Sequence, residues 1–343
     1  MVQIGWRGHR HLLSIDDFSR EELETIFNAT NILHQYSNEG TQLPLLKGFI
    51  LKPAFFEPSS RTQNSFEAAM LIMGGSTLSS HSPAEAKWKG ETDEDIITSY
   101  VQYADFIIIR HPQPNSVKNF AKILDSQDNR AKIINAGDGP NEHPTQALTD
   151  LYTVMKEFGT LDGVTYVFLG DLKYSRTVHS LILGAKKFNG IRFIGFPVSG
   201  LNLPEEYTPT NYEQHDITKL SQFLRSLDPN SCVVIYTTRT QWERIARERY
   251  NFDELDEGTK TRIRTEIYKE INCQVTREHL DSSPTTTILL DPLPRISQIS
   301  DELFYSNHPK LIAIKQMRYG LSVRMAILGL FAGKEEEILS LRK

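Results

Sequence analysis

At 343 residues the chain is longer than one compact core usually holds and fits two domains of ordinary size. Hydrophobic residues at 39%, charged residues at 24% and a formal net charge of -5 describe a globular chain with no general attraction to nucleic acid or to an anionic membrane surface. Two cysteines, Cys232 and Cys273, are too few for a disulfide framework and lack metal-ligand spacing. No apolar run approaches the roughly 20 residues needed to cross a bilayer. The first thirteen residues mix Arg, His and Gly without an apolar core, unlike a signal peptide, so the cytoplasm is the expected address.

The hydrophobic pattern predicts a helix over 19–36 and a buried strand over 48–56. A second helix follows over 62–73, with Phe66, Met70 and Met73 on one face and Gly74-Gly75 as its stop. Next come a helix over 91–103, strands at Asp105–Ile109 and Lys132–Ile134, and a helix over 144–158 that reads as the bridge to a second domain beginning near Gly159. There the order is strand Val164–Leu169, helix 176–188, strand Ile191–Gly195 and a strand over 232–236 that buries the Cys232 thiol. The charged stretch 246–285 reads as solvent-facing helix and loop, followed by strands Thr287–Leu290 and Leu311–Ile314 and a helix over 317–332. Short apolar strands alternating with helices predict an α/β protein of two doubly wound domains, each a mainly parallel sheet flanked by helices.

Ligands of doubly wound sheets bind beyond the carboxyl ends of the strands, and the polar clusters of this sequence lie there. The first strand runs into Glu57-Pro58-Ser59-Ser60-Arg61-Thr62, which sets three hydroxyls and a guanidinium at a helix N-terminus, a place suited to phosphate. Taken alone, Ser59 or Ser60 is an ordinary helix cap and Arg61 a solvated side chain. Later strands, however, run into Arg110-His111-Pro112, into Asn135 to Gly139 and His143-Pro144-Thr145-Gln146, into Asp171 to Thr177, into Arg239-Thr240-Gln241, and into Asp291-Pro292-Leu293-Pro294-Arg295. So many clusters, each placed after a strand, are hard to attribute to chance.

The segments FFEPSSRT, KGET, RHP, NAGDG with HPTQ, GDLKYSRTVHSL, TRTQWER and PLPR, in this order from the first helix to the last, resemble the transcarbamylase family, and within it the branch that uses aspartate as acceptor. The resemblance implies transfer of a carbamoyl group from carbamoyl phosphate to L-aspartate, in de novo pyrimidine biosynthesis, in a cleft between the two domains. It places Ser59, Ser60, Arg61, Thr62 and Arg110 on the phosphate, with Thr62, Arg110 and His143 donating to the carbonyl oxygen. Gln146, with Pro292 and Leu293, orients the carbamoyl NH₂ and the attacking amine. Arg176 takes the α-carboxylate and Arg239 the side-chain carboxylate of aspartate, with Gln241, Leu293 and Lys89 beside them. His143 precedes a helix whose positive end disfavours an imidazolium, which suits a neutral donor. No nucleophile, metal or cofactor is expected; positioning and electrostatics supply the rate. Residues 1–150 form the carbamoyl-phosphate domain, with the helix at about 317–343 packing back on it, and 151–316 the amino-acid domain. The family pattern further implies a homotrimer in which the loop 81–90 brings Lys89 to a neighbour's site, with room for a higher assembly or a regulatory chain.

The chain departs from that pattern in places. Glu85 stands where a phosphate-binding Ser is expected, with Ser82 as a substitute; Gln63 replaces a basic residue, Asp291 a His and Tyr319 an Asn, and the segment 246–285 is long. Two other readings follow: a transcarbamylase for another dicarboxylic or modified amino acid, and a non-catalytic homologue serving as subunit or scaffold. An ornithine-type enzyme is expected to show a Cys where Pro292 stands.

Overall fold

The computed structural model describes residues 6, 8–79, 83–127, 129–198, 200–270 and 273–342. The chain forms two compact units: one runs to Thr153 and takes the chain back from Met317, and the other is Val154–Gln316.

The first unit opens with helix α1 (Arg20–Glu39), started by a capping box in which Ser19 accepts from the Glu22 N–H while the Glu22 carboxylate accepts from Ser19, and ended by Gly40 in the left-handed region. Strands β1 (Ile50–Phe55), β2 (Ser76–Thr77), β3 (Phe106–His111) and β4 (Lys132–Asp138) alternate with helices α2 (Ser60–Ile72), α3 (Pro83–Trp88), α4 (Asp93–Tyr100) and α5 (Ser116–Ser126), and α6 (Pro144–Phe158) follows. The sheet is parallel throughout, in the order β2-β1-β3-β4. Its core includes Ala54, Ile107, Ile109 and Ile133 from the strands, packed with Ile97, Val117, Phe120 and Leu124 from the helices. The chain leaves β1 toward β2 and returns to the other side of β1 as β3, so the topological switch point lies between β1 and β3.

In the second unit β5 (Thr165–Gly170), α7 (Arg176–Ala185), β6 (Arg192–Pro197), β7 (Tyr212–Gln214), α8 (Leu220–Ser226), β8 (Val233–Thr238), α9 (Trp242–Arg249), α10 (Glu257–Glu270), α11 (Arg277–Asp281), β9 (Thr287–Leu290) and α12 (Asp301–Phe304) succeed one another. The five strands are again all parallel, in the order β7-β6-β5-β8-β9, and the switch point lies between β5 and β8. The chain then returns through α13 (Ala313–Phe331) and α14 (Glu335–Ser340).

The structure departs from the sequence expectations at four places, the first being Cys232, which is half-buried just before β8 and not buried within it. Leu311–Ile314 is not a strand: Leu311 makes a single bridge to Leu289, Ile312 donates to the Leu289 carbonyl at 3.0 Å, and α13 has begun by Ala313. A four-residue apolar run cannot be distinguished by periodicity from the start of a helix. The segment 246–285 is not wholly solvent-facing, because Ile263 and Ile267 of α10 are buried in a cluster with Val198, Leu201, Ile245, Ala246 and Phe252. Helix α5 adds an element to those read from the sequence, although its buried residues Val117, Phe120, Ala121 and Leu124 carry the helical spacing.

Gly170 closes β5 with φ +105°, and a Cβ there would lie 2.7 Å from the Thr238 carbonyl oxygen of β8. Both the backbone angle and the close approach exclude a side chain. Gly170→Ala is therefore expected to destabilise the protein by about 1–3 kcal/mol, measured as a lowered thermal midpoint; an unchanged midpoint would show that the β5–β8 junction tolerates the strain.

Candidate active site

At the first switch point β1 and β3 end side by side, with Phe55 in register with Arg110 and the Phe56 N–H donating to the Arg110 carbonyl at 2.9 Å. The turn into α2 therefore starts against Arg110. Ser59 stands at the N-cap of α2 but makes no side-chain cap bond; its hydroxyl donates instead to Thr62 Oγ1 at 3.2 Å. The simple capping role is thus excluded for Ser59, and the positive end of α2 keeps its anion-binding character. Ser60 and Arg61 are exposed and Thr62 is buried. Arg110 Nε lies 2.8 Å from a carboxylate oxygen of Glu57, so the guanidinium is held at this turn by an acid inside the turn itself.

Beside β3, β4 leads to His143, 3% exposed, and to Gln146 in the first turn of α6. The buried Glu142 fixes this approach: its carboxylate accepts from the Ser14 hydroxyl at 2.6 Å and the Ile15 N–H at 3.1 Å, and its carbonyl accepts from the Asp138 N–H at 3.0 Å. His143 Nδ1 is 3.3 Å from the Thr145 hydroxyl, and Gln146 Nε2 donates to Asp150 Oδ1 at 2.7 Å. Lys89 is exposed just past α3. Its neighbour Lys87 pairs at 2.9 Å with Asp93, which also receives His111 Nε2 at 3.0 Å. His81, Ser82 and the side chain of Glu85 lie outside the described residues. Gln63 donates to Glu67 at 2.8 Å, and Tyr319 packs edge-on against His34 and Tyr152.

At the second switch point the organiser is Asp171. Its two carboxylate oxygens accept the N–H groups of Tyr174 and Gln241, each at 3.0 Å, and its carbonyl accepts from the Thr238 hydroxyl. One buried carboxylate thereby ties the turn that carries Arg176 to the turn that carries Arg239 and Gln241. Arg176 begins α7 and is only 9% exposed. Arg239 forms a two-point pair with Glu243, one contact at 3.0 Å, and donates to the Thr240 carbonyl. Burial lowers the Arg239 pKa, but the hydrogen bond and charge of Glu243 outweigh it and raise it above the usual value. Gln241 donates to the Tyr174 carbonyl and accepts from Arg244 Nε.

Next to β8, β9 delivers Pro292 and Leu293, the latter with φ +60°. Asp291, a departure from the family pattern, is 2% exposed and accepts from the Thr237 hydroxyl, Gln298 Nε2 and the Leu293 N–H at 2.8, 2.9 and 2.6 Å. It shapes the loop from inside. Glu57, Glu142, Asp171, Glu243 and Asp291 fix these turns and were missed as such in the sequence; for Glu57, Asp171 and Asp291 the one signal was an acid just past an apolar strand, and for Glu243 an acid one helical turn from Arg239.

The chain is similar over almost its whole length to known proteins. Residues 10–156 match the family model "Aspartate/ornithine carbamoyltransferase, carbamoyl-P binding domain", and residues 162–331 match "Aspartate/ornithine carbamoyltransferase, Asp/Orn binding domain". The chain belongs to the aspartate/ornithine carbamoyltransferase family. The aspartate carbamoyltransferase catalytic subunit of Thermococcus kodakarensis is 37% identical over 96% of this chain and 98% of its own. Among solved structures, the aspartate transcarbamoylase of Trypanosoma cruzi in complex with carbamoyl phosphate has a TM-score of 0.79 at 29% identity, covering 95% of this chain and 97% of that one. The catalytic subunit of the Methanocaldococcus jannaschii enzyme has a TM-score of 0.76 at 33% identity, covering 96% and 99%.

Burial pushes the Asp171 carboxyl up to about 6, against the lowering effect of the Tyr174 and Gln241 N–H donors and of the Arg239 charge. A carboxyl that binds its proton more tightly folded than unfolded contributes most below the unfolded value of 3.8, and that contribution is lost as the pH rises through about 6. The rise from 3.8 to about 6 corresponds to about 3 kcal/mol. Chemical unfolding of wild type and Asp171→Asn should therefore show the difference between them moving in favour of the variant, by up to this amount, between about pH 4 and pH 7. A pH-independent difference would remove Asp171 as the titrating group.

Proposed function

We propose that this chain is a catalytic subunit that transfers the carbamoyl group of carbamoyl phosphate to the amino group of L-aspartate, giving N-carbamoyl-L-aspartate and phosphate. The observation that carries this reading is the pairing of an uncapped phosphate-type turn, with Arg110 beside it, and two arginines on adjoining turns of the second sheet, Arg176 and Arg239, as a dicarboxylate requires. The full-length likeness to aspartate carbamoyltransferase catalytic subunits supports it.

The reaction needs three things from the protein. Ser59, Ser60, Arg61, Thr62 and Arg110 grip the phosphate and neutralise its charge as it leaves. Thr62, Arg110 and His143 donate to the carbonyl oxygen as the amine adds to the carbonyl carbon and that oxygen gains negative charge. Gln146 and the Pro292–Leu293 turn direct the carbamoyl NH₂ and the incoming amine. The C–O bond to phosphate then breaks, and the phosphate takes up the proton lost by the amine. Arg176 holds the α-carboxylate and Arg239 the side-chain carboxylate, with Gln241 and Leu293 alongside. Residues up to about 150 and from about 317 onward build the carbamoyl-phosphate domain, and the rest builds the aspartate domain. The assembly is a cytoplasmic homotrimer in which Lys89 reaches a neighbour's site. Asp291 no longer argues for a different acceptor, since its carboxylate is spent on its own loop.

Labelled carbamoyl phosphate offered with a panel of amino acids tests the reading, with carbamoyl aspartate as the expected product; no product with aspartate would overturn it. Within that assay, Arg239→Ala should raise the KM for aspartate by a factor equivalent to about 3 kcal/mol. It should leave carbamoyl phosphate binding nearly intact and lose most of the preference for aspartate over asparagine. Full retention of that preference would place the side-chain carboxylate elsewhere.

The shared site is tested by mixing. Inactive Lys89→Ala chains combined with inactive Arg110→Ala chains should regain part of the activity, because some sites in the hybrid then contain both native residues. Hybrids that form and stay inactive would refute sharing.

A further inference from the structure

Gln146 does not stand alone on α6. Its Nε2 donates at 2.7 Å to Oδ1 of Asp150, one helical turn later, and Asp150 is fully buried. Next to Asp150 in the chain, the Thr149 hydroxyl accepts at 3.3 Å from Nη1 of Arg324 of α13, which is 5% exposed and also donates to the Gly320 carbonyl at 2.8 Å. Its guanidinium lies over the Phe66 ring of α2, 5.4 Å from the centroid. A Cβ on Gly320 would come within 2.6 Å of Nη1, so the helix is cut away to admit the guanidinium. Burial lowers the Arg324 pKa to about 10 and the charge of Asp150 acts in the opposite sense, which leaves Arg324 cationic at neutral pH. A buried cation and a buried carboxylate are costly to hold together unless each has partners, and either is expensive to strand alone.

A side-chain amide can face a neighbour with either of two ends, its NH₂ or its oxygen, at almost no difference in shape. A carboxylate accepts and does not donate. We propose that Asp150 is a positioning residue that fixes the sense of the Gln146 amide, so that Oε1 is presented to the carbamoyl NH₂ and Nε2 is kept from it. This rests on the carbamoyl-transfer reading above and adds one residue to it. Reversal of the amide would set a donor against the NH₂ donors of the carbamoyl group, and the substrate would lose its orientation rather than its phosphate anchor.

Asp150→Asn tests this, because an asparagine side chain at that position can donate to Gln146 Oε1 as readily as accept from Nε2. In the full-length assembled enzyme, kcat should fall about tenfold, as for a misdirected positioning contact. The KM for carbamoyl phosphate and the calorimetric affinity for inorganic phosphate should stay within about threefold of wild type. Added to Gln146→Ala, the same change should cost less than about twofold more, since a residue acting through Gln146 has nothing left to act on. An unchanged kcat, a full additional loss in the double variant, or a collapse of phosphate binding together with kcat would each overturn the proposal.

Should Asp150→Asn not fold, Gln146→Glu carries the test. Its activity relative to wild type should rise as the pH is lowered, when a proton on the introduced carboxylate restores the donor to Asp150; a flat ratio would overturn the proposal. Wild-type turnover reports on the carbamoyl-transfer reading itself, and the variant-to-wild-type ratios report on this inference.

Discussion

Parallel pairing governs this protein. Each strand of a parallel sheet must return through a crossover, and the crossovers cover both faces, so the central strands are mostly apolar and carry few polar groups along their length, Lys52 and Asn135 among them. Polar function is confined to the strand ends, and because all strands of a sheet point the same way, the carboxyl ends gather on one edge. The switch points between β1 and β3 and between β5 and β8 open a crevice where the crossovers diverge. The turns that carry Ser59 to Thr62 and Arg110 flank the first, and those that carry Arg176, Arg239 and Gln241 flank the second.

Two cations of the candidate site are held by acids beside them, and further acids fix the turns. Glu57 pairs with Arg110, Glu243 with Arg239, Asp171 joins two turns through backbone N–H groups, Asp291 shapes the third, and Glu142 fixes the approach to His143. Burying a carboxylate is unfavourable by itself, and it persists where several donors converge on it. Asp171, Glu142 and Asp291 are turned inward toward backbone N–H donors, whereas Glu57 and Glu243 lie beside the arginines they orient. Breaking such an acid would leave donors unsatisfied on two turns at once.

The order of elements, the α/β class and the positions of the polar turns were legible in the sequence because they follow from local patterning: short apolar runs, helical spacing, and polar clusters at their junctions. The same patterning misjudged Leu311–Ile314, where tertiary docking of Leu311 beside Leu289 and an early helix start outweighed a β-like run. It also undervalued α10, whose two buried isoleucines are outnumbered in sequence by charges on the opposite face.

By itself the sequence determined which residues could bind anions and that they follow strands, since residue type and local period are properties of the chain alone. Only the tertiary structure decided what holds them. That Ser59 turns to Thr62 instead of capping its helix, that Asp171 spans two turns some seventy residues apart in the chain, and that Arg324 returns from the last long helix to bond Thr149 are outcomes of folding. A donor finds a buried acceptor by proximity in space, and proximity between distant segments is written in the packing of the sheets and not in any local stretch of residues.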